Sequence, residues 1–283
     1  VTVTRNDGPM LAKLARSLTS QSIKPDEWII VVDSSSDNTV DIISTFCEEN
    51  DWIRVISVDS FLEPAPRGQR IASLFVLGIE SSSVDWDFCS KIDADMQLEK
   101  NYFQQIYSKF EQNSSLGIAS GNCSIDTFFG RKIESVSNNH TRGGLKTYRR
   151  ACFDEIKGIE KVDGWDTIDN MKAQMCGWTT SNFKEIIAYH ARPTGSQLGR
   201  VTTSFNEGQK SYFLGYFPPY LLARALHRMF SSPYIIAGIA MMFGYLSKWV
   251  VSESNYDNKD VTNYVRNRQI SRLTCGLIDF GKR

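Results

Sequence analysis

The chain has 283 residues, 41% hydrophobic and 12% aromatic, and its 32 Lys and Arg balance 32 Asp and Glu. That length can bury a sizeable core, as one large domain or one domain with an appendage, and the aromatic content excludes a disordered chain. A formal net charge of zero argues against a nucleic-acid partner held by bulk positive charge.

Val1 to Val3 is a short β-rich segment, followed by a turn at Arg5-Asn-Asp-Gly8 and by Pro9, which suits the first turn of a helix. Leu11, Leu14, Ala15 and Leu18 give that helix its apolar spacing. Trp28-Ile-Ile-Val-Val32 is a near-continuous apolar run, the signature of a strand buried on both faces. It ends in Asp33-Ser-Ser-Ser-Asp-Asn-Thr39, a loop of helix-capping residues, after which Val40, Ile43 and Phe46 mark a second helix. Ile53 to Val58 reads as the third strand. Gly68 to Ser82 reads as the third helix, with Ile71, Leu74, Phe75 and Leu77 as its apolar face. The fourth strand begins at Phe88 and runs into two carboxylates, Asp93 and Asp95. Tyr102, Phe103, Ile106, Tyr107 and Phe110 place a helix after it.

This alternation predicts an α/β fold with a mostly parallel sheet covered on both faces. Ligands of such sheets bind beyond the carboxyl ends of the strands, where Arg5, Asp33 and the pair Asp93/Asp95 fall. Neither a G-x-G-x-x-G after the first strand nor a G-x-x-x-x-G-K-[ST] occurs, which sets aside dinucleotide and P-loop enzymes. Beyond residue 115 the alternation stops. Gly117 to Asp126 and Gly143 to Arg150 read as extended, and Trp165 to Cys176 as a helix closed by Gly177. Ile186 to His190 is a last strand, and Pro193 to Gly208, rich in Gly, Thr and Ser, reads as a mobile loop.

The six cysteines form no C-x-x-C pair, which predicts buried free thiols in a reducing compartment and no zinc site. Sequons at Asn113, Asn122 and Asn139 are too common a pattern to outweigh that reading. No signal peptide, internal repeat or low-complexity run is read.

Four segments together carry a resemblance. They are Val3-Thr-Arg-Asn-Asp-Gly8, Ile30-Val-Val-Asp-Ser-Ser-Ser-Asp-Asn-Thr39, Asp93-Ala-Asp95, and Gly164-Trp-Asp166 eleven residues before Gly177-Trp178. In this order the chain resembles the family-2 glycosyltransferases of the GT-A fold, a Rossmann-like nucleotide-diphospho-sugar transferase architecture, over residues 1–210. The resemblance implies a nucleotide-binding half at 1–115 and an acceptor half at 116–210. Asp33 would read the donor's base or ribose, with Thr4 and Arg5 flanking the nucleotide and Arg70 facing its phosphates. A departing nucleoside diphosphate needs its charge neutralised, which implies Mg²⁺ or Mn²⁺. Asp95 is then the direct metal ligand, Asp93 is divided between ribose and metal, and His190 is a further ligand.

An inverting member also needs a carboxylate to deprotonate the acceptor. The family's Glu-Asp pair is Trp165-Asp166 here, so Asp166 takes the role by register, a role compatible with a position as the cap of its helix, with Asp163 and Asp169 as alternatives. Residues 211–283 form a helical appendage. Pro218-Pro219 opens a basic amphipathic helix with Arg224, His227 and Arg228, and Tyr234 to Ser247 is an apolar run ending at Lys248, too short to span a bilayer. This predicts contact of residues 218–250 with the cytoplasmic face of the cell membrane, in a peripheral or monotopic manner, where Arg266, Arg268 and Arg272 add positive charge. Arg268-Gln-Ile-Ser-Arg-Leu273 is similar to a motif of processive relatives but ends in Leu, and is not taken as a site.

The expectation is a metal-dependent inverting glycosyltransferase acting on a nucleotide-sugar donor and a lipid-linked or surface-glycan acceptor. A sugar-phosphate nucleotidyltransferase would need a G-x-G-x-R loop that Pro9-Met-Leu-Ala does not supply. A non-catalytic membrane scaffold would have no need of Asp33, Asp95 and Asp166.

Overall fold

The computed structural model describes residues 1–59, 65–127, 130–134, 137–192, 199–230 and 233–280, the side chains of 276–280 excepted. The chain forms two compact units, Val1–Pro193 and Thr194–Arg283.

The first unit opens with the strands β1 (Thr2–Thr4), β2 (Trp28–Asp33) and β3 (Ile53–Val58), paired in parallel in that order. Between them run α1 (Gly8–Thr19), with Pro9 in its first turn, and α2 (Thr39–Glu49). Every residue of β2 is buried, as its unbroken apolar run requires. The helix α3 (Arg67–Glu80) then leads into β4 (Phe88–Ile92). Val1 joins the two sheets: its amine donates to Ser90 O at 2.7 Å and its carbonyl accepts from Ile92 N at 3.1 Å.

Beyond β4 the parallel pattern gives way to a mixed one. The short β5 (Met96–Leu98), α4 (Tyr102–Gln112), β6 (Leu116–Thr127), β7 (Gly130–Ile133), β8 (Leu145–Arg149) and β9 (Thr179–His190) follow, with α5 (Arg150–Glu155) and α6 (Trp165–Met175) between the last two strands. The second sheet runs β4-β8-β6-β9-β5, with β7 paired to β6; β6·β9 is parallel and the other pairs are antiparallel. One core cluster packs α1 and α4 against one face, around Leu14, Ile30, Phe103 and Phe110. The opposite face carries α3, α5 and α6 around Phe75, Tyr148, Cys152 and Trp165.

The second unit comprises α7 (Arg200–Phe213), α8 (Pro218–Arg228), α9 (Ile236–Val250) and α10 (Lys259–Phe280). The mobile loop expected over 193–208 is therefore corrected: residues 200–208 are helical, and 193–198 lie outside the described residues. Ser204 and Gly208, small residues that suggested a loop, form with Ser211 the buried face of α7. A Cβ on Gly208 would stand 2.0 Å from Met241 O, and one on Gly244 would stand 2.0 Å from Phe205 O. Close approach of the two backbones is what these glycines permit. The cysteines are unpaired, but three of them, Cys89, Cys123 and Cys152, are the buried ones; Cys176 and Cys275 are exposed.

Candidate functional site

The first two strands end in strained turns that hold each other. Asn6 (φ 54°) and Ser34 (φ 47°) both occupy the left-handed region without being glycine, at a cost of about 1–3 kcal/mol each. Asn6 N donates to Ser35 Oγ at 3.0 Å, Ser36 N donates to Asn6 Oδ1 at 2.8 Å, and Asp7 N donates to Thr39 Oγ1 at 3.2 Å. Thr4 is buried at the end of β1, and its hydroxyl has no hydrogen-bond partner among the described residues. Asp33 is buried at the end of β2, and the Arg70 guanidinium lies 3.9 Å from its Oδ2. Arg70 thus stands beside the Asp33 carboxylate, while Arg5 is exposed just after Thr4.

The second cluster is assembled by strand register. In the β5·β9 pair Met96 lies opposite His190, so Asp95, one residue earlier, meets the end of β9, and Ala191 N donates to its carbonyl at 2.9 Å. His190 Nε2 stands 3.5 Å from Asp95 Oδ2, and its Nδ1 stands 3.4 Å from Glu134 Oε2. Arg192 Nε donates to Asp95 Oδ2 at 2.9 Å, and its Nη2 lies 3.0 Å from Asp7 Oδ1, tying this cluster to the first. Burial acts to lower the His190 pKa, but Asp95 and Glu134 outweigh it and lift the imidazole to about 9. Burial likewise acts to raise Asp95, yet His190 and Arg192 hold it below the ordinary carboxylate value. Glu134, Arg142 and Arg192 were not legible as site residues. Glu134 follows the hairpin strand β7, and Arg142 Nη1 lies 3.1 Å from its Oε2 while also donating to Asn122 Oδ1.

These residues suit a hard or borderline divalent ion. Asp95 Oδ2 and His190 Nε2 converge, and Glu134 behind the ring can accept a hydrogen bond from Nδ1–H, so that loss of the Nε2 proton would turn a lone pair toward an ion beside Asp95. A second grouping, Cys123, Glu134 and His190, brings its ligand atoms within 4.8 Å. It suits a cation poorly, because burial pushes the Cys123 thiol up to about 12 and Arg142 already holds Glu134.

Asp93 and Asp166 flank one dipeptide. The Asp93 side chain pairs with the Lys91 ammonium, and its backbone N donates to Gly144 O at 3.0 Å. A Cβ on Gly144 would come 2.6 Å from Asp93 Oδ2, and one on Gly143 would come 3.1 Å from Asp166 Oδ2. The Gly143-Gly144 strip thus borders both carboxylates, Asp166 at its first residue and Asp93 at its second. Gly164 (φ 84°) precedes α6, so the expected helix-cap position of Asp166 is corrected: it sits in the first turn, where its charge suits the helix dipole. Its carbonyl accepts from Lys146 Nζ at 2.5 Å and from Asn170 Nδ2 at 2.8 Å. Asp169 is 1% exposed and held by Lys146 Nζ at 2.6 Å and by the Tyr148 hydroxyl. Asp163 packs against Gly68 at the start of α3. The ammonium groups of Lys91 and Lys146 lie 5.6 and 5.5 Å from the centre of the Trp165 ring. Trp165, which replaces the expected Glu, thus supports two buried cations.

A cavity walled by Trp28, Trp86, Phe88, Phe103 and Tyr107 opens at the amino-terminal ends of β2 and β4 and is lined by none of these site acids.

Residues 1–159 match the family model described as glycosyl transferase family 2. No curated protein matches the chain. Among solved structures, the mannosyltransferase PcManGT of Pyrobaculum calidifontis, in complex with GDP-Man and Mn²⁺, is 14% identical with a TM-score of 0.56, over 98% of this chain and 78% of that one. S. aureus TarS 1–349 in complex with UDP-GlcNAc is 14% identical with a TM-score of 0.55, over 89% and 72%. GalNAc-T7 with UDP, GalNAc and Mn²⁺ is 12% identical with a TM-score of 0.54, over 69% and 44%. At these identities the likeness is one of fold.

Proposed function

Because the chain belongs to glycosyl transferase family 2, we propose that it moves a sugar from a nucleotide-sugar donor to an acceptor hydroxyl, with inversion and with a divalent metal bound. The observation that carries this reading is the meeting of Asp95 and His190 at 3.5 Å, imposed by the β5·β9 register. The Mn²⁺ held by two of the similar structures agrees with it.

Asp95 and His190 would hold Mg²⁺ or Mn²⁺, which supplies positive charge against the departing nucleoside diphosphate. Asp93, pinned by Lys91, is left to the ribose or to a metal-bound water. The buried hydroxyl of Thr4 lacks a partner among the described residues, a cost of about 1–3 kcal/mol that a donor group beside β1 would remove. Asp33, with Arg70 beside it, accepts from the base or a ribose hydroxyl.

Asp166 takes the proton of the acceptor hydroxyl as the new glycosidic bond forms and the sugar–phosphate bond breaks. Two observations favour it over its neighbours. Asp169 is enclosed and committed to Lys146 and Tyr148, and Asp163 is packed on Gly68, whereas Asp166 faces the Gly143-Gly144 strip that Asp93 also borders. A lipid-linked or surface-glycan acceptor completes the proposal.

The test is calorimetry of nucleoside diphosphate binding with and without Mn²⁺. Asp95→Ala should abolish the Mn²⁺-dependent part; Mn²⁺-dependent binding that is unchanged in the variant removes Asp95 from the metal, and binding by the parent chain that Mn²⁺ does not alter removes the metal-dependent mechanism.

A further inference from the structure

The helix α9 is strongly apolar, with Ser247 and Lys248 near its carboxyl end as exceptions, and its inner side is mostly small residues. Ala237, Ala240, Met241 and Gly244 face inward, against α7 and α8, where Gly238 also lies too close to Ala225 O for any side chain. Ile236, Ile239, Phe243, Leu246 and Trp249 recur every three or four residues on the other side, and all are exposed. A surface helix of a water-soluble protein carries polar residues there. The neighbouring helix continues the pattern: Leu222 and Leu226 on α8 are half exposed, and Phe230 just beyond it is 82% exposed. Small residues at a helix–helix contact with large apolar ones outside is the arrangement of helices whose solvent is hydrocarbon.

Length and charge indicate which apolar partner this is. The 15 residues of α9 span about 22 Å, short of the roughly 30 Å of a bilayer core, and no described helix is long and apolar enough to cross a membrane. A helix of this kind lies in the interface instead. From Thr194 onward the sequence has eleven Lys and Arg against five Asp and Glu, a net charge of +6; residues 1–193 have 21 against 27, a net charge of −6. The chain's overall neutrality conceals this division. Attraction of the helical unit to anionic lipid follows from it.

We infer that the outward face of α8 and α9 docks on an anionic bilayer surface, with Phe230, Phe243 and Trp249 seated among the headgroups and acyl chains. The inference is independent of the donor-site reading, since none of these residues belongs to that site.

Co-flotation of the whole chain with vesicles of phosphatidylcholine, with and without phosphatidylglycerol, tests it. The chain should float with the anionic vesicles, do so less in high salt, and be left behind on neutral ones. The double variant Phe243→Glu/Trp249→Glu should lose bound fraction by about tenfold or more while its circular dichroism and melting temperature stay unchanged. Failure to float on anionic vesicles overturns the inference, as does flotation that the double variant retains. A concentration-dependent dimer in sedimentation that the same variant dissociates would also overturn it, and would assign the face to a second copy. Nucleoside diphosphate binding, measured on the same samples, reads the donor site separately.

Discussion

In the sheet-bearing unit, α1 turns Leu11, Leu14 and Leu18 inward and α4 turns Phe103, Ile106 and Phe110 inward; in the helical unit, α9 turns Ala237, Ala240 and Gly244 inward and presents Ile236, Phe243 and Trp249 outward. The first arrangement draws its stability from enclosing large side chains, about 1.5–3 kcal/mol for each fully buried one. The second depends on backbones brought close, which only small residues allow. The two units also differ in sign, −6 against +6. A single rule of apolar residues inside and polar ones outside therefore describes the sheet-bearing unit and fails for α8 and α9, and on that failure the proposed bilayer contact rests.

The largest expected effect falls on the acid-bearing unit alone. Asp166→Asn should lower transfer by about 10²–10⁴-fold while leaving donor binding in calorimetry intact; turnover at the parental rate would shift the base to Asp163. Next come paired changes of bulk, read by denaturant unfolding. Phe110→Ala should cost about 3–5 kcal/mol by hollowing the first core. Gly208→Leu should cost at least about 1–3 kcal/mol by forcing α7 and α9 apart. If Gly208→Leu were neutral, the contrast between the units would collapse.

A smaller effect is expected behind the histidine. Glu134→Gln should weaken Mn²⁺ binding by roughly 10–100-fold in a fluorescence or calorimetric titration, since the carboxylate orients the ring without touching the ion. An unaltered affinity would leave Glu134 a structural partner of Arg142. The smallest is a pH effect on the metal-free chain. His190 titrates near 9 when folded against an ordinary 6.5, so its contribution to stability is complete below about pH 6.5 and is lost as pH rises through about 9. The unfolding midpoint should decline across that window, and His190→Gln should flatten the decline.

Most of the first 115 residues were legible because β2 is a continuous apolar run bounded by turn residues and α1 to α4 each carry their own 3.6-residue stripe. The three residues of β5 and the exposed four of β7 give no such pattern, so the register that sets Asp95 against His190 could not be read. Asp33, Asp93 and Asp95 could be singled out because acids at strand ends stand out in sequence, and Asp166 through the register of the resemblance. Glu134, Arg142 and Lys146 were not, since their partners lie 8 to 56 residues away along the chain. The segment 200–208 was misread because glycine and serine signal a loop in isolation. Packed against α9, they are the contact that makes the helix.

Arg192 has one further consequence. By reaching Asp7 and Asp95 together, it lets this acidic pocket form with its charges already matched. The chain can therefore reach its folded state without waiting for an ion. A divalent cation bound at Asp95 would compete with Arg192 for Oδ2, so the arginine's hold would lower the affinity for every such ion alike and set how much metal the site needs before it fills.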